Sequence, residues 1–275
     1  MNMDFHVHGI LSKKLKFDSD LFLQGVSFAK NNMLDGLVLC EHFNAADIES
    51  SFSFFEDNFK YEKDRYDVNG FFVYLGMEVD IRYGGHVIVC GTRESIYKIK
   101  DNLKNCQKKA DFIHFEELLN MAEEGGCLTV GSHPYRENHK LYLQSEKNLR
   151  RLDALDLNSK DIYKRGLDPV EKEVAELSSK LNIPYVTGSD SHYPIMLGCV
   201  RTCFEGDFES IIALKTAIKN QEYKRVISDD LKFKIYTAKA AKNYMKKKIK
   251  ESKLKNDVGQ VNDKKNKISY INFSI

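Results

Sequence analysis

An α/β fold whose strands close into a barrel is what this 275-residue chain predicts, from three observations. Short apolar runs recur along it. Amphipathic stretches of helical length separate them. Histidines and carboxylates gather at the ends of the runs. Strands alternating with helices imply βαβ units and a parallel sheet, and about seven strands in one domain suit a barrel better than an open sheet.

The elements follow in chain order. Residues 3–7 read as the first strand, and residues 18–32 as a helix capped by Asp18 or Ser19. Residues 36–40 form a buried strand, and 45–58 a helix. Asp67 to Gly70 signal a turn. Strands over 71–79 and 87–90 flank Gly84-Gly85. A helix over 115–124 is stopped by Gly125-Gly126. Strands over 127–130, 152–157 and 184–187 follow, with a helix over 169–181 before the last of these. A further strand over 200–204 and a helix over 208–220 complete the pattern. We expect a barrel over residues 1–230 and a basic C-terminal helix and tail over 231–275. The stretch 242–267, rich in Lys and Asn, is expected to fold weakly.

Composition excludes several classes. Hydrophobic residues make up 42% of the chain, enough for a sizeable core, yet no run approaches the ~20 apolar residues of a membrane helix. The N-terminus lacks the basic-then-apolar pattern of a signal peptide. None of the six cysteines sits in a C-x-x-C pair, so free thiols in a cytoplasmic protein are expected. No glycine-rich phosphate loop follows any strand. The net charge of +2 is too small to imply a polyanion partner. Lysines do crowd the end, at Lys246, Lys247, Lys248 and Lys250 and at Lys264, Lys265 and Lys267. Either a nucleic-acid arm or a solvated helix fits them, and the lack of interleaved aromatics favours the second.

The polar residues at strand ends carry the chemistry. His6 and His8 are two apart in a strand, so both imidazoles face one side. Alone, such a pair is also compatible with a hydrogen-bonded core. Glu41 and His42 follow the second strand directly. Glu78 lies within an apolar strand, where a carboxylate is costly unless a cation neutralises it. His86 follows Gly84-Gly85. A tight turn there pairs it with Tyr83, so only a wider loop brings it to Glu78. His133 leaves the 127–130 strand, and Asp190 and His192, again two apart, leave the 184–187 strand. His114 and His139 read as surface residues. The C-terminal ends of barrel strands form the active-site mouth. Imidazole and carboxylate without thiolate suit manganese, zinc or iron.

These motifs resemble those of the PHP (polymerase and histidinol phosphatase) family. They are Asp4-Phe5-His6-Val7-His8, Cys40-Glu41-His42-Phe43-Asn44, Gly76-Met77-Glu78, Gly85-His86-Val87, Ser132-His133-Pro134 and Gly188-Ser189-Asp190-Ser191-His192, in the family's order over about residues 1 to 205. The resemblance implies a distorted, TIM-like seven-stranded β/α barrel holding two or three divalent transition-metal ions. It implies His6, His8, Glu78 and Asp190 around one ion, Glu78, His86 and His133 around a second, and His42 and His192 at a third. Where the family has a further ligand after the H-x-H pair, this chain has Lys13. Lys13 either takes the place of the third ion or is an ordinary loop lysine.

Two cations about 4 Å apart activate a shared water and clamp a phosphoryl group, so metal-bound hydroxide is the expected attacking group. Glu78, Asp190, Arg136 and Lys13 are the candidate catalytic residues. Arg136 either grips phosphate oxygens or is a surface arginine. Substrate choice is expected in barrel loops such as 137–147. The expected activity is hydrolysis of a small phosphomonoester, as in histidinol phosphatases. The alternatives are a phosphodiesterase or nuclease acting on short nucleic acids, and a metal-binding module without catalysis. No membrane partner is implied.

Overall fold

The computed structural model describes residues 1–269. Its strands are β1 (Asn2–Val7), β2 (Gly36–His42), β3 (Lys60–Glu62), β4 (Arg65–Asp67), β5 (Phe72–Asp80), β6 (His86–Cys90), β7 (Leu128–Ser132), β8 (Ala154–Asn158), β9 (Tyr185–Gly188), β10 (Val200–Phe204) and β11 (Tyr223–Ile227). The α-helices are α1 (Ser19–Asn31), α2 (Ile48–Asn58), α3 (Arg93–Asn102), α4 (Phe115–Glu124), α5 (Glu146–Leu149), α6 (Ser159–Arg165), α7 (Leu167–Leu181), α8 (Ile211–Lys219) and α9 (Leu231–Ser269). Local chemistry sets several boundaries. Asp18 caps α1 by accepting from Leu21 N, and Ser210 caps α8 by accepting from Ala213 N.

The strands form one sheet in the order β11-β10-β1-β2-β5-β6-β7-β8-β9, with the β3–β4 hairpin attached to β5. Its far edge returns to β1. His8 N donates to Ser191 O at 2.8 Å and Asp190 N to His6 O at 2.7 Å, beside a parallel Val7–Ser191 bridge. The sheet is therefore a nearly closed barrel, and the residues just after β9 face those of β1.

Two expectations are corrected. Among the described residues the sheet has eleven strands, not about seven, because the short charged segments of β3, β4 and β11 give little apolar signal. It is mixed, not parallel. β5–β6 and β6–β7 are antiparallel, while β1–β2, β2–β5, β7–β8 and β8–β9 are parallel. The connection over 81–85 makes β5 and β6 a hairpin, with Tyr83, Gly84 and Gly85 all at positive φ. It is wider than the tight turn that pairs His86 with Tyr83. His86 pairs with Asp80 instead, and β6 enters the barrel from its mouth.

Register then sorts the interior. Directly opposite residues share a face. His42 is opposite Glu78, Glu78 opposite Ile88, and His86 opposite both Asp80 and Ser132. The lower part of this face is apolar. Val38, Tyr74, Ile88 and Val130 pack with Ile211 and Leu214 of α8. The upper part carries the polar groups. The β1–β2 register shifts between Asp4 and Val7, so Met3 and Phe5 join the apolar plug while His6 belongs to the polar end.

The C-terminal helix is part of this body. Leu231, Ile235 and Ala238 are buried in the same core cluster as Met196 and Cys199. The stretch from 242, expected to fold weakly, continues α9 in backbone to Ser269. The expected charges of Lys250, Lys264, Lys265 and Lys267 lie outside the described side chains. All six cysteines are free thiols. No helix among the described residues is long and apolar enough to cross a membrane.

Candidate metal centre

Glu78 is the hub of the polar end. Its Oε1 lies 2.8 Å from His86 Nδ1, 3.1 Å from His133 Nε2 and 3.5 Å from His6 Nε2. Its Oε2 lies 2.9 Å from His42 Nδ1 and 3.5 Å from His8 Nε2. Asp190 Oδ1 stands 3.6 Å from His8 Nε2, 3.9 Å from His6 Nε2 and 3.6 Å from His192 Nδ1. The structure thus brings together His6, His8, His42, Glu78, His86, His133, Asp190 and His192. Their donor atoms cluster within 4.8 Å as Glu78-His86-His133, His6-His133-Asp190 and His8-His42-His192. The first trio comprises the residues that the resemblance implies for a second ion. In the third, His42 and His192 gain His8.

A shell of buried groups aims these side chains. Asp156 Oδ2 lies 2.9 Å from His6 Nδ1, placed to hold the proton of that nitrogen and to aim Nε2 at the cluster. Asp4 Oδ1 accepts from the backbone N–H of His6 and of Ser189, tying β1 to the segment that carries Asp190. Gly188 is required for this contact, since a Cβ there sits 2.5 Å from both Asp156 Oδ1 and His6 Cβ. Glu41 Oε1 accepts from Gly9 N and Ile10 N, anchoring the loop after His8. His133 and Asp190 are themselves at positive φ, +30° and +54°, a strain that tertiary contacts must hold. Asp156→Asn is expected to weaken metal affinity about 10- to 100-fold with little change in fold, as for other groups that orient a ligand. Competition with a metallochromic chelator measures this, and unchanged affinity removes Asp156 from the centre.

Four groups missed by the sequence reading complete the rim. Asp80 Oδ1 is 2.8 Å from His86 Nε2, and the His139 ring lies against His86 at a tilt, with centroids 3.8 Å apart, so Asp80, His86 and His139 form a further cluster. His139, expected on the surface, is drawn in by the 137–147 loop, whereas His114 is exposed as expected. Lys160 Nζ donates to Asp190 Oδ1 at 2.6 Å and lies 3.4 Å from His192 Nδ1. The fourth group is Asp156. Lys13 does not point away, because its Nζ meets Asp80 Oδ2 at 2.9 Å. Arg136 donates from Nε to Asp161, from Nη1 to Asp190 and from Nη2 to Asn158, so it orients Asp190.

Electrostatics prepare the donors. Burial, aided by neighbouring cations, holds His8, His133 and His192 well below the usual imidazole range, so they are neutral at pH 7 with lone pairs available. Burial works against charge on Glu78, yet His86, His42 and His6 hold it ionised. Lys160 and Arg136 do the same for Asp190. Burial lowers His86 too, but Glu78 and Asp80 outweigh it and place the imidazole at about 9. Burial pushes the Cys40 thiol up, and its Sγ donates to Val7 O while lying within 4.8 Å of donor atoms of His6 and His8.

The donors fit divalent transition ions. His42 Nδ1 approaches Glu78 Oε2 to 2.9 Å with no hydrogen bond, and His86 lies 2.8 Å from both Glu78 and Asp80. Imidazole and carboxylate so placed suit a shared divalent cation.

Comparison with known proteins agrees with this architecture. Residues 172–223, from α7 to β11, match the PHP-associated (PHP_C) family model. No curated protein matches the chain. The fold is similar to that of PsfC from Pseudomonas syringae PB-5123, with 21% identity, a TM-score of 0.72 and coverage of 89% of this chain and 98% of that one. It is also similar to the lesion-specific endonuclease PfuEndoQ from Pyrococcus furiosus, at 18% identity, a TM-score of 0.58 and coverage of 80% of this chain and 56% of the endonuclease. A two-domain protein from Bacteroides vulgatus ATCC 8482, containing a predicted PHP-like metal-dependent phosphoesterase, shares the fold at 15% identity and a TM-score of 0.56. That alignment covers 86% of this chain and 69% of the other. Residues 172–223 carry the PHP-associated match, and the TIM-like barrel is a fold shared with these structures.

Proposed function

We propose that the chain is a metal-dependent phosphoesterase that hydrolyses a phosphomonoester of a small metabolite. The observation that carries this is the Glu78 carboxylate, within 3.5 Å of five imidazoles at the mouth of the barrel. His6, His8, Glu78, His86, His133 and Asp190, with His42 and His192, would hold two or three ions of manganese, zinc or iron. Ions there supply the positive charge that polarises a phosphoester and acidifies a water. The chain's own residues do the rest. Asp156 retains the His6 Nδ1 proton, Arg136 and Lys160 orient Asp190, and the buried walls exclude bulk water. Access is narrow, since the side chains of His42 and His192 are only 15% and 11% exposed, which suits a terminal phosphate better than a duplex.

A second reading, a nuclease on short nucleic acids, is favoured by the lysines of α9 and by the fold shared with the Pyrococcus endonuclease. A panel of phosphomonoesters and short oligonucleotides, assayed with manganese or zinc, decides between them. We expect turnover of at least one monoester and little cleavage of oligonucleotides. Cleavage of oligonucleotides alone makes the chain a nuclease, and no turnover of either class removes the hydrolase reading.

A further inference from the structure

The docked face of α9 is a stripe at helical spacing. Leu231, Ile235 and Ala238 are buried along it. The same spacing continues through Lys242, Met245 and Ile249, all of them half-buried. An apolar side chain is expected at 242, and a lysine stands there. Among the described residues it makes no hydrogen bond or ion pair. Among the described residues, the charges that act on it are the ammonium groups of Lys160 and Lys246, opposed by Asp190. Lys242 in turn acts on His192. One turn earlier, Lys239 lies 4.0 Å from the Tyr163 ring and feels Lys164 and Lys160 of α6.

Two helices therefore face each other with like charges across the rim of the metal centre. Such charges repel, and the cost grows as water is removed. Burial, then Lys160 and Lys246, push the Lys242 amine down to about 7. The one nearby acid, Asp190, is already engaged by Lys160 and Arg136. Lys242 lays its stem along the stripe, and an anion at the mouth supplies the counter-charge that its ammonium lacks.

We infer that Lys242, together with Lys160, binds a phosphoryl group of the substrate, so that α9 forms part of the substrate site. This rests on the phosphoesterase reading and names the chain segment that completes that site. An ammonium–phosphate hydrogen bond corresponds to roughly 10- to 100-fold in affinity.

The test titrates the metal-loaded full chain with inorganic phosphate by calorimetry, comparing wild type, Lys242→Met and Lys242→Arg. Methionine suits the half-buried stripe, so metal content and melting temperature should hold. Phosphate affinity should fall about 10-fold or more in Lys242→Met and stay within about threefold in Lys242→Arg. The KM for a cleaved phosphomonoester should rise in parallel, with a smaller change in kcat. Phosphate affinity unchanged in Lys242→Met, or a wild type that binds no phosphate at millimolar concentration, overturns the inference. Should phosphate bind through Lys242 while no phosphoester is cleaved, the anion site stands and the phosphoesterase reading fails. Should turnover proceed with phosphate affinity blind to Lys242→Met, the inference fails alone.

Discussion

Glu78→Gln is expected to reduce turnover of any phosphoester the wild type cleaves by about 10³-fold or more, several kcal/mol of transition-state stabilisation. The substitution keeps shape and volume, so the apolar plug below it, formed by Tyr74, Ile88 and Val130, is left undisturbed. It removes the charge on which five imidazoles converge and turns one acceptor oxygen into an N–H₂ donor. Nitrogens of His42 and His8 face that end of the carboxylate at 2.9 and 3.5 Å, and a donor cannot share a cation with them. Steady-state kinetics with elemental analysis of the same preparation separate lost chemistry from lost metal. Activity within about tenfold of wild type, a difference of about 1.4 kcal/mol, makes Glu78 a buried structural acid and dissolves the centre as described.

Much of this site was legible because strand periodicity is a local property. His6 and His8, two apart at the end of β1, share a direction, whereas Asp190 reaches the cluster from a positive φ that the spacing does not foretell. The same rule, carried two residues past Glu78, points to Asp80. The argument that a carboxylate in an apolar strand needs a partner applies equally to Asp156 within β8. Those two groups were readable and were passed over.

Others were not readable. Lys160 and His139 reach the centre only because α6 and the loop after His133 fold back onto the mouth, a tertiary outcome with no periodic trace. The partner of His86 depended on whether Gly84-Gly85 closed a tight or a wide hairpin, and the positive φ of Tyr83 settles it for the wide one. Arg136 shows the limit of reasoning from residue type. A guanidinium beside a metal ligand suits a phosphate and an aspartate equally well, and here two carboxylates and an amide claim it.

Metal removal is expected to have the other large effect, abolishing turnover while leaving the chain folded. Protein purified without chelators and offered manganese or zinc should carry at least about two equivalents, the number needed to activate a water and clamp a phosphoryl group. Loading should need little proton release from His8, His133 and His192, which burial already keeps neutral. The stripped protein retains its own counter-charges. Arg136 and Lys160 bond Asp190, and protonated His86 bonds Glu78 and faces Asp80. The barrel therefore survives, unlike a small domain built around its metal. Each ion at a hundredfold excess over its dissociation constant adds about 2.7 kcal/mol to stability, so stripping two should lower the melting temperature by roughly 10–20 °C. Calorimetric scans before and after chelation, with assay and re-addition of manganese, measure both effects together. Full turnover from protein holding less than about one equivalent means that the hydrolysis, if real, proceeds without the centre built on Glu78.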